Sequence, residues 1–167
     1  MRILPLAATL LLTGCVAAPD PPPSKPSPRF DAITFFAGRS RGAAELRQIF
    51  KAPHAVRVGS YGRVAADGWL VLDQAIAEPG KPVRQRQWRI REDRPNHYSG
   101  SLTDAESPVT GVTEGNRLHL AFQMKGGLAT DQWLTLAPDG RSAHNVLIVR
   151  KFGVTLAVLE ETIRKTG

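Results

Sequence analysis

Arg86 is the side chain best placed to do chemistry in this sequence, because of the run it sits in. Read as a strand with period two, residues 84–91 put Arg84, Arg86, Trp88 and Ile90 on one face and Gln85, Gln87, Arg89 and Arg91 on the other. The second set is wholly polar and belongs in solvent, which turns Arg86 inward beside Trp88. An inward guanidinium needs a carboxylate or a bound anion, since an unpaired buried charge is strongly destabilising. Asp104 and Asp131 are the candidate partners, with Asp73 behind them. Two uses stay open: a polar clamp at the base of a pocket, gripping a carboxylate or phosphate head group, or a structural Arg–Asp pair that holds the strands in register.

Other reactive groups form no constellation. His54, His97, His119 and His144 lie far apart, without the i, i+2 or i, i+4 spacing of paired metal ligands, and read as scattered surface residues. There is no Gly-x-Ser-x-Gly elbow, no Walker loop and no Gly-x-Gly-x-x-Gly fingerprint. Carboxylates are plentiful, yet no spacing singles out an acid/base pair. The reading therefore leans away from an enzyme and expects no metal.

Cys15 is the single cysteine, which excludes a disulfide within the chain and any site needing two thiolates. Its setting points to another use. Met1-Arg2 is a short basic start, Ile3 to Leu12 is an apolar run too short to span a bilayer, and Leu12-Thr13-Gly14-Cys15 follows. Those four residues resemble a bacterial lipobox. In that case residues 1–14 are a signal peptide, the thiol takes a diacylglycerol, and cleavage leaves Cys15 as an N-terminus that receives an N-acyl chain of the palmitate type. No other cofactor is expected. Several acyl chains anchor firmly, at about 0.8 kcal/mol per buried CH₂. Val16 stands where an Asp would signal inner-membrane retention in enteric-type bacteria, so the expected location is the Gram-negative cell envelope, facing the periplasm, with the outer membrane favoured. An ordinary secretory signal with a chance Cys is the alternative.

Residues 15–29 hold six prolines (Pro19, Pro21, Pro22, Pro23, Pro26 and Pro28) and cannot build a core. They are expected to be a disordered, extended tether reaching roughly 43 Å from the lipid at about 3.1 Å per residue. The rest, 30–167, is one domain. The net charge of +7 is spread along the chain and suits a protein near anionic head groups; no nucleic-acid partner is expected.

The domain reads as strands. Turn signals recur at Asp67-Gly68, Pro79-Gly80, Gly115-Asn116, Gly126-Gly127 and Asp139-Gly140, with short alternating runs between them. Leu118, Leu120, Phe122 and Met124 share one face. Val154–Lys165 fits a helix through Leu156, Leu159 and Ile163, but the β-branched Val154-Thr155-Leu156-Ala157-Val158 favours a strand. Residues 30–37 are expected to be a short helical plug, with Phe30, Phe35 and Phe36 packing on one end. Gly59, Gly62, Gly100 and Gly111 are expected to relieve crowding between strands. Hairpin after hairpin with little helix predicts an all-β fold, a single antiparallel up-and-down β-barrel.

Several segments in order carry a family resemblance: Gln85-Arg86-Gln87-Trp88-Arg89-Ile90, Tyr98-Ser99-Gly100-Ser101-Leu102-Thr103-Asp104, Gly111, Glu114-Gly115-Asn116, Asp131-Gln132-Trp133-Leu134 and Lys151-Phe152-Gly153. Together they resemble the bacterial lipoproteins of the domain-of-unknown-function 3833 family over roughly residues 33–165. The resemblance implies a calycin or lipocalin-like barrel and no particular activity. It also implies that an Arg stacked on a Trp closes one end. It places Trp133 beside Asp131, so the candidate pocket or structural polar cluster is Arg86, Trp88, Asp104, Asp131 and Trp133. The chain departs from the pattern at Ala105-Glu106-Ser107-Pro108 and at Thr130-Asp131, where paired acids are usual.

A small barrel is either filled or holds one small ligand. The leading expectation is a membrane-anchored carrier of a lipid or other small apolar molecule. The alternatives are a filled barrel that docks a protein of the cell envelope and an enzyme acting on a lipid-like substrate.

Overall fold

The computed structural model describes residues 16–167; Cys15 and the 1–14 segment lie outside the described residues. Ten strands follow one short helix: α1 (Ala32–Phe36), β1 (Gly38–Gln48), β2 (Lys51–Val64), β3 (Leu70–Ala77), β4 (Arg84–Arg94), β5 (His97–Leu102), β6 (Val109–Glu114), β7 (Arg117–Met124), β8 (Leu128–Leu136), β9 (Ser142–Lys151) and β10 (Val154–Lys165). Each strand pairs antiparallel with its sequence neighbours, and β1 pairs with β10 to close the barrel. This is the up-and-down architecture that the hairpin signals predict. Closure also decides the fate of 154–165. The segment lies between β9 and β1 and supplies backbone partners to both, which a helix could not do.

Alternation selects the inner face of each strand. Leu118, Leu120 and Phe122 of β7 point in, as do Leu134 and Leu136 of β8 and Trp88 and Ile90 of β4; each is nearly or fully buried. With Leu70, Leu72, Tyr98 and Ile163 they make a filled core in one half of the barrel. The Trp88 and Phe122 rings meet edge to face at 5.5 Å, a geometry that suits the ring quadrupoles.

The plug seals that half. Asp31 caps α1 by accepting from the Ile33 and Thr34 amides. At the other helix end, Lys165 Nζ donates to the carbonyls of Thr34, Phe35 and Ala37 and so satisfies groups that a helix terminus leaves free. Phe30 is fully buried, with its ring 5.1 Å from Phe35 and 6.5 Å from Phe36. A methyl group on Gly62 would lie 1.9 Å from the Phe36 carbonyl oxygen, so only glycine lets the plug approach β2. Gly59, in contrast, points outward with nothing near it and relieves no crowding.

The Pro-rich segment does not project freely along its whole length. From Pro22 it returns along the barrel. The Pro22 carbonyl accepts from Arg117, and Lys25 exchanges hydrogen bonds with Asn116 at 2.7 and 2.8 Å. Nearer its start, Val16 and Ala18 pack on an outward apolar cluster of Val146, Ile148 and Val158. The segment is therefore not an extended chain free of the barrel.

At the end opposite the plug, the turns carry bulky residues. Phe50 and Phe152 have φ of 62° and 50°, a region that a large side chain adopts only at a cost. Phe152 and Gly153 (φ 81°) form the two-residue loop between Lys151 and Val154, where Asn-Gly is the favoured pair. Phe152→Asn is expected to raise stability by about 1 kcal/mol, read as a higher urea midpoint with an unchanged slope.

Candidate functional site

Several inward-facing series include a polar residue, and four of them matter for the cavity. On β3 the order is Leu70, Leu72, Gln74, Ile76; on β4 it is Arg86, Trp88, Ile90; on β9 Ala143, Asn145, Leu147, Val149; and on β10 Ala157, Leu159, Glu161, Ile163. Strand register brings the interruptions together. Gln74 lies directly across from Arg86 on one wall, and Asn145 directly across from Glu161 on another. They form a polar belt above the filled core. Beyond it, toward the end away from the plug, the barrel encloses a cavity of about 210 Å³. Its walls are largely apolar, with Val56, Val58, Ile76, Leu147 and Leu159 among them; Arg86, Asn145 and Glu161 supply polar groups at its base, and Glu78 adds a second carboxylate. Gln48, Lys81, Arg84 and Met124 stand toward its mouth.

On the first wall, Arg86 Nε donates to Gln74 Oε1 at 2.8 Å, and Trp88 Nε1 donates to the same oxygen at 2.8 Å. The Gln74 amide nitrogen donates onward to Ser60 Oγ at 3.0 Å. The guanidinium also lies 5.5 Å from the Trp88 ring. Among the described residues this is all that holds Arg86: no carboxylate forms an ion pair with it. Burial pulls its pKa down to about 10, helped by the Arg84 charge, and it remains a cation at neutral pH.

On the second wall, Asn145 Nδ2 donates to Glu161 Oε2 at 2.8 Å, while Asn145 Oδ1 is buried without a partner. Glu161 lies against Gly42; a methyl group there would fall 1.7 Å from its Oε1. Burial raises the Glu161 pKa above the ordinary carboxylate value, against the opposing pull of Asn145 and Arg86. A carboxyl with a raised native pKa holds its proton better folded than unfolded, so its contribution is complete below the unfolded value and is lost as pH rises through the folded one. Glu161→Gln is therefore expected to gain stability relative to the parent chain as pH climbs above 4.5. Parallel denaturant titrations across that range measure it, and curves that stay parallel would refute it.

The five residues proposed from sequence separate. Arg86 and Trp88 face inward and touch the belt. Asp104 stands in the loop after β5 and pairs with Arg84, not Arg86. Asp131 and Trp133 face outward, because Leu134 and Leu136 set the inward phase of β8. Asp131 accepts from His119 at 2.8 Å and Arg150 at 3.0 Å. Trp133 stacks on His119 at 3.7 Å, with Arg117 5.1 Å from its ring. Asp73, also outward, takes Arg63 and Gln87. An Arg86–Asp clamp is thus not formed; Gln74 occupies the partner position. Sequence reasoning missed Gln74, Asn145 and Glu161, although each breaks an apolar period-two series and so was open to detection. Among the described residues there is no group of three His, Cys, Asp or Glu side chains fit to hold a metal.

A family model described as a protein of unknown function (DUF3833) matches residues 9–165. No curated protein matches the chain. Among solved structures, the S-type phycobiliprotein lyase CPES from Guillardia theta is similar with a TM-score of 0.63 at 7% identity, over 81% of this chain and 90% of that one. Rv2717c from M. tuberculosis is similar with a TM-score of 0.63 at 14% identity, over 81% and 96%. A protein of the DUF3598 family from Nostoc punctiforme has a TM-score of 0.59 at 12% identity, over 83% of this chain and 50% of its own. At these identities the likeness concerns the fold, a lipocalin-like barrel.

Proposed function

The chain belongs to the DUF3833 family, and from its lipocalin-like barrel and the chemistry of its cavity we propose that it holds a small anionic amphiphile. A carboxylate or phosphate head rests on Arg86, and the apolar part lies along the walls formed by Val56, Val58, Ile76, Leu147 and Leu159. One observation carries this reading: the half-buried Arg86 guanidinium lines a cavity with largely apolar walls, and neither carboxylate of that lining, Glu78 or Glu161, is in ion-pair contact with it. An anion there would relieve an unfavourable burial. Asn145 Oδ1, buried and unpartnered, adds an acceptor for a head group that carries a hydroxyl or amide. A volume of about 210 Å³ encloses the head and the first part of a chain, and a longer chain would continue through the mouth.

The carrier works from a membrane anchor. Leu12-Thr13-Gly14-Cys15 supports acylation of Cys15 and an address at the periplasmic face of a Gram-negative envelope, with Val16 favouring the outer membrane. Native mass spectrometry on protein gently extracted from its own envelope is expected to show one bound small anion beyond the covalent lipid. A ligand-free mass, together with failure to displace or bind a fluorescent fatty acid, would sink the carrier reading. The mass of the N-terminal peptide tests the anchor separately.

A further inference from the structure

Phe50 and Phe152 are 91% and 95% exposed. Neither packs on the core, and both occupy the backbone region least tolerant of a bulky side chain. They stand at the tips of the β1–β2 and β9–β10 turns, neighbouring hairpins because β1 pairs with β10. These turns rim the end at which the cavity opens. Val83, 57% exposed, stands at the same end in the loop before β4, and Val154, 47% exposed, follows the Phe152 turn.

The charges around these tips are mostly positive. Lys51 follows Phe50, Lys151 precedes Phe152, and Lys125 stands in the β7–β8 turn; none forms an ion pair with a carboxylate among the described residues. The acids at this end are largely taken, Glu78 by Lys81 and His54, Asp104 by Arg84 and Glu160 by Arg47, which leaves Glu106 and, further along β1, Glu45. Apolar rings at the outermost points with ammonium groups one step behind match a bilayer entered from the water, where the tips reach the acyl region while the ammonium groups stay level with the phosphates. The placement of the residue that follows the proposed anchor at Cys15 agrees. Val16 packs on Val146, Ile148 and Val158 of the outer wall, and Ile148 lies three residues before Lys151 at the mouth.

We infer that the mouth of the barrel docks on a lipid bilayer, with Phe50 and Phe152 entering the acyl boundary and Lys51, Lys125 and Lys151 meeting lipid phosphates. This placement stands apart from what the cavity contains, since it uses residues outside the polar belt. It aims the cavity at the membrane and gives the two strained turns a use that folding does not.

The test places tryptophan in the full chain, one position at a time: Phe50→Trp, Phe152→Trp and, at the plug end, Val64→Trp. Each is bound to vesicles of phosphatidylglycerol and phosphatidylethanolamine with brominated acyl chains, and the parent chain supplies the background of the native tryptophans. The tip variants are expected to shift their emission to the blue and to be quenched, whereas Val64→Trp keeps an aqueous spectrum. Adding Phe152→Asn to Phe50→Trp should reduce quenching at the first tip. Tip spectra that match Val64→Trp would overturn the inference, whether the chain is then held by its anchor alone or by a protein partner. Equal quenching on phosphatidylcholine alone would overturn the assignment of the lysines to acidic lipid.

Discussion

Arg86→Met is expected to weaken binding of a fatty-acid anion such as dodecanoate by about 30-fold or more, with the barrel still closed. Removing one member of a buried charge pair costs about 2–5 kcal/mol, and an anion on Arg86 would be held by such a pair. The methionine fills similar length, so Trp88 keeps its packing and its bond to Gln74 Oε1. Displacement of a fluorescent fatty acid reads the affinity, and near-ultraviolet dichroism reads the core. Arg86→Lys should recover part of the binding, since charge remains while the planar fork is lost. A purely structural Arg86 gives another pattern: Arg86→Met lowers stability with affinity unchanged, and a second exchange, Glu161→Leu, restores it by removing the carboxyl left without its attracting cation.

Phe30→Ala is expected to destabilise the fold by about 3–5 kcal/mol, a large share of the roughly 5–15 kcal/mol that holds a domain together. The ring is fully buried between Phe35 and Phe36, at the end of the core that only the plug closes. The backbone cannot follow the truncation inward, because the Phe30 amide is fixed to the Gly115 carbonyl at 2.8 Å. A cavity therefore remains. Phe50→Ala removes the same atoms from a ring that is 91% exposed and should change stability by less than about 0.5 kcal/mol. Denaturant midpoints of the two variants make the comparison, and a small loss for Phe30→Ala would mean that the plug does not seal the core.

The contrast between these phenylalanines shows where sequence reading succeeds. Phe30, Phe35 and Phe36 are legible as a plug because three aromatic residues within seven positions precede the first strand. Phe50 carries no such sign; its exposure follows from a turn with positive φ, which its residue type argues against. Arg86 is legible as inward because its alternate neighbours Gln85 and Gln87 are polar. Its partner is not, since the β3–β4 register that sets Gln74 opposite it depends on the length of the 78–83 loop. Asp131 and Trp133 look like site residues by type, but Leu134 and Leu136 decide the face of β8 and turn both outward.

By itself, the sequence determined the hairpin series, the inward phase of β4 and β7, the plug and the family, because local alternation and turn chemistry act over a few residues. Tertiary structure alone decided that β10 closes on β1, that Gln74, Arg86, Asn145 and Glu161 meet in one belt above a filled core, and that the mouth with its two exposed rings lies opposite the plug. Those facts depend on register around a closed barrel. A one-residue slip in any strand would turn its polar member outward, and no local signal within a single strand records the register of the others.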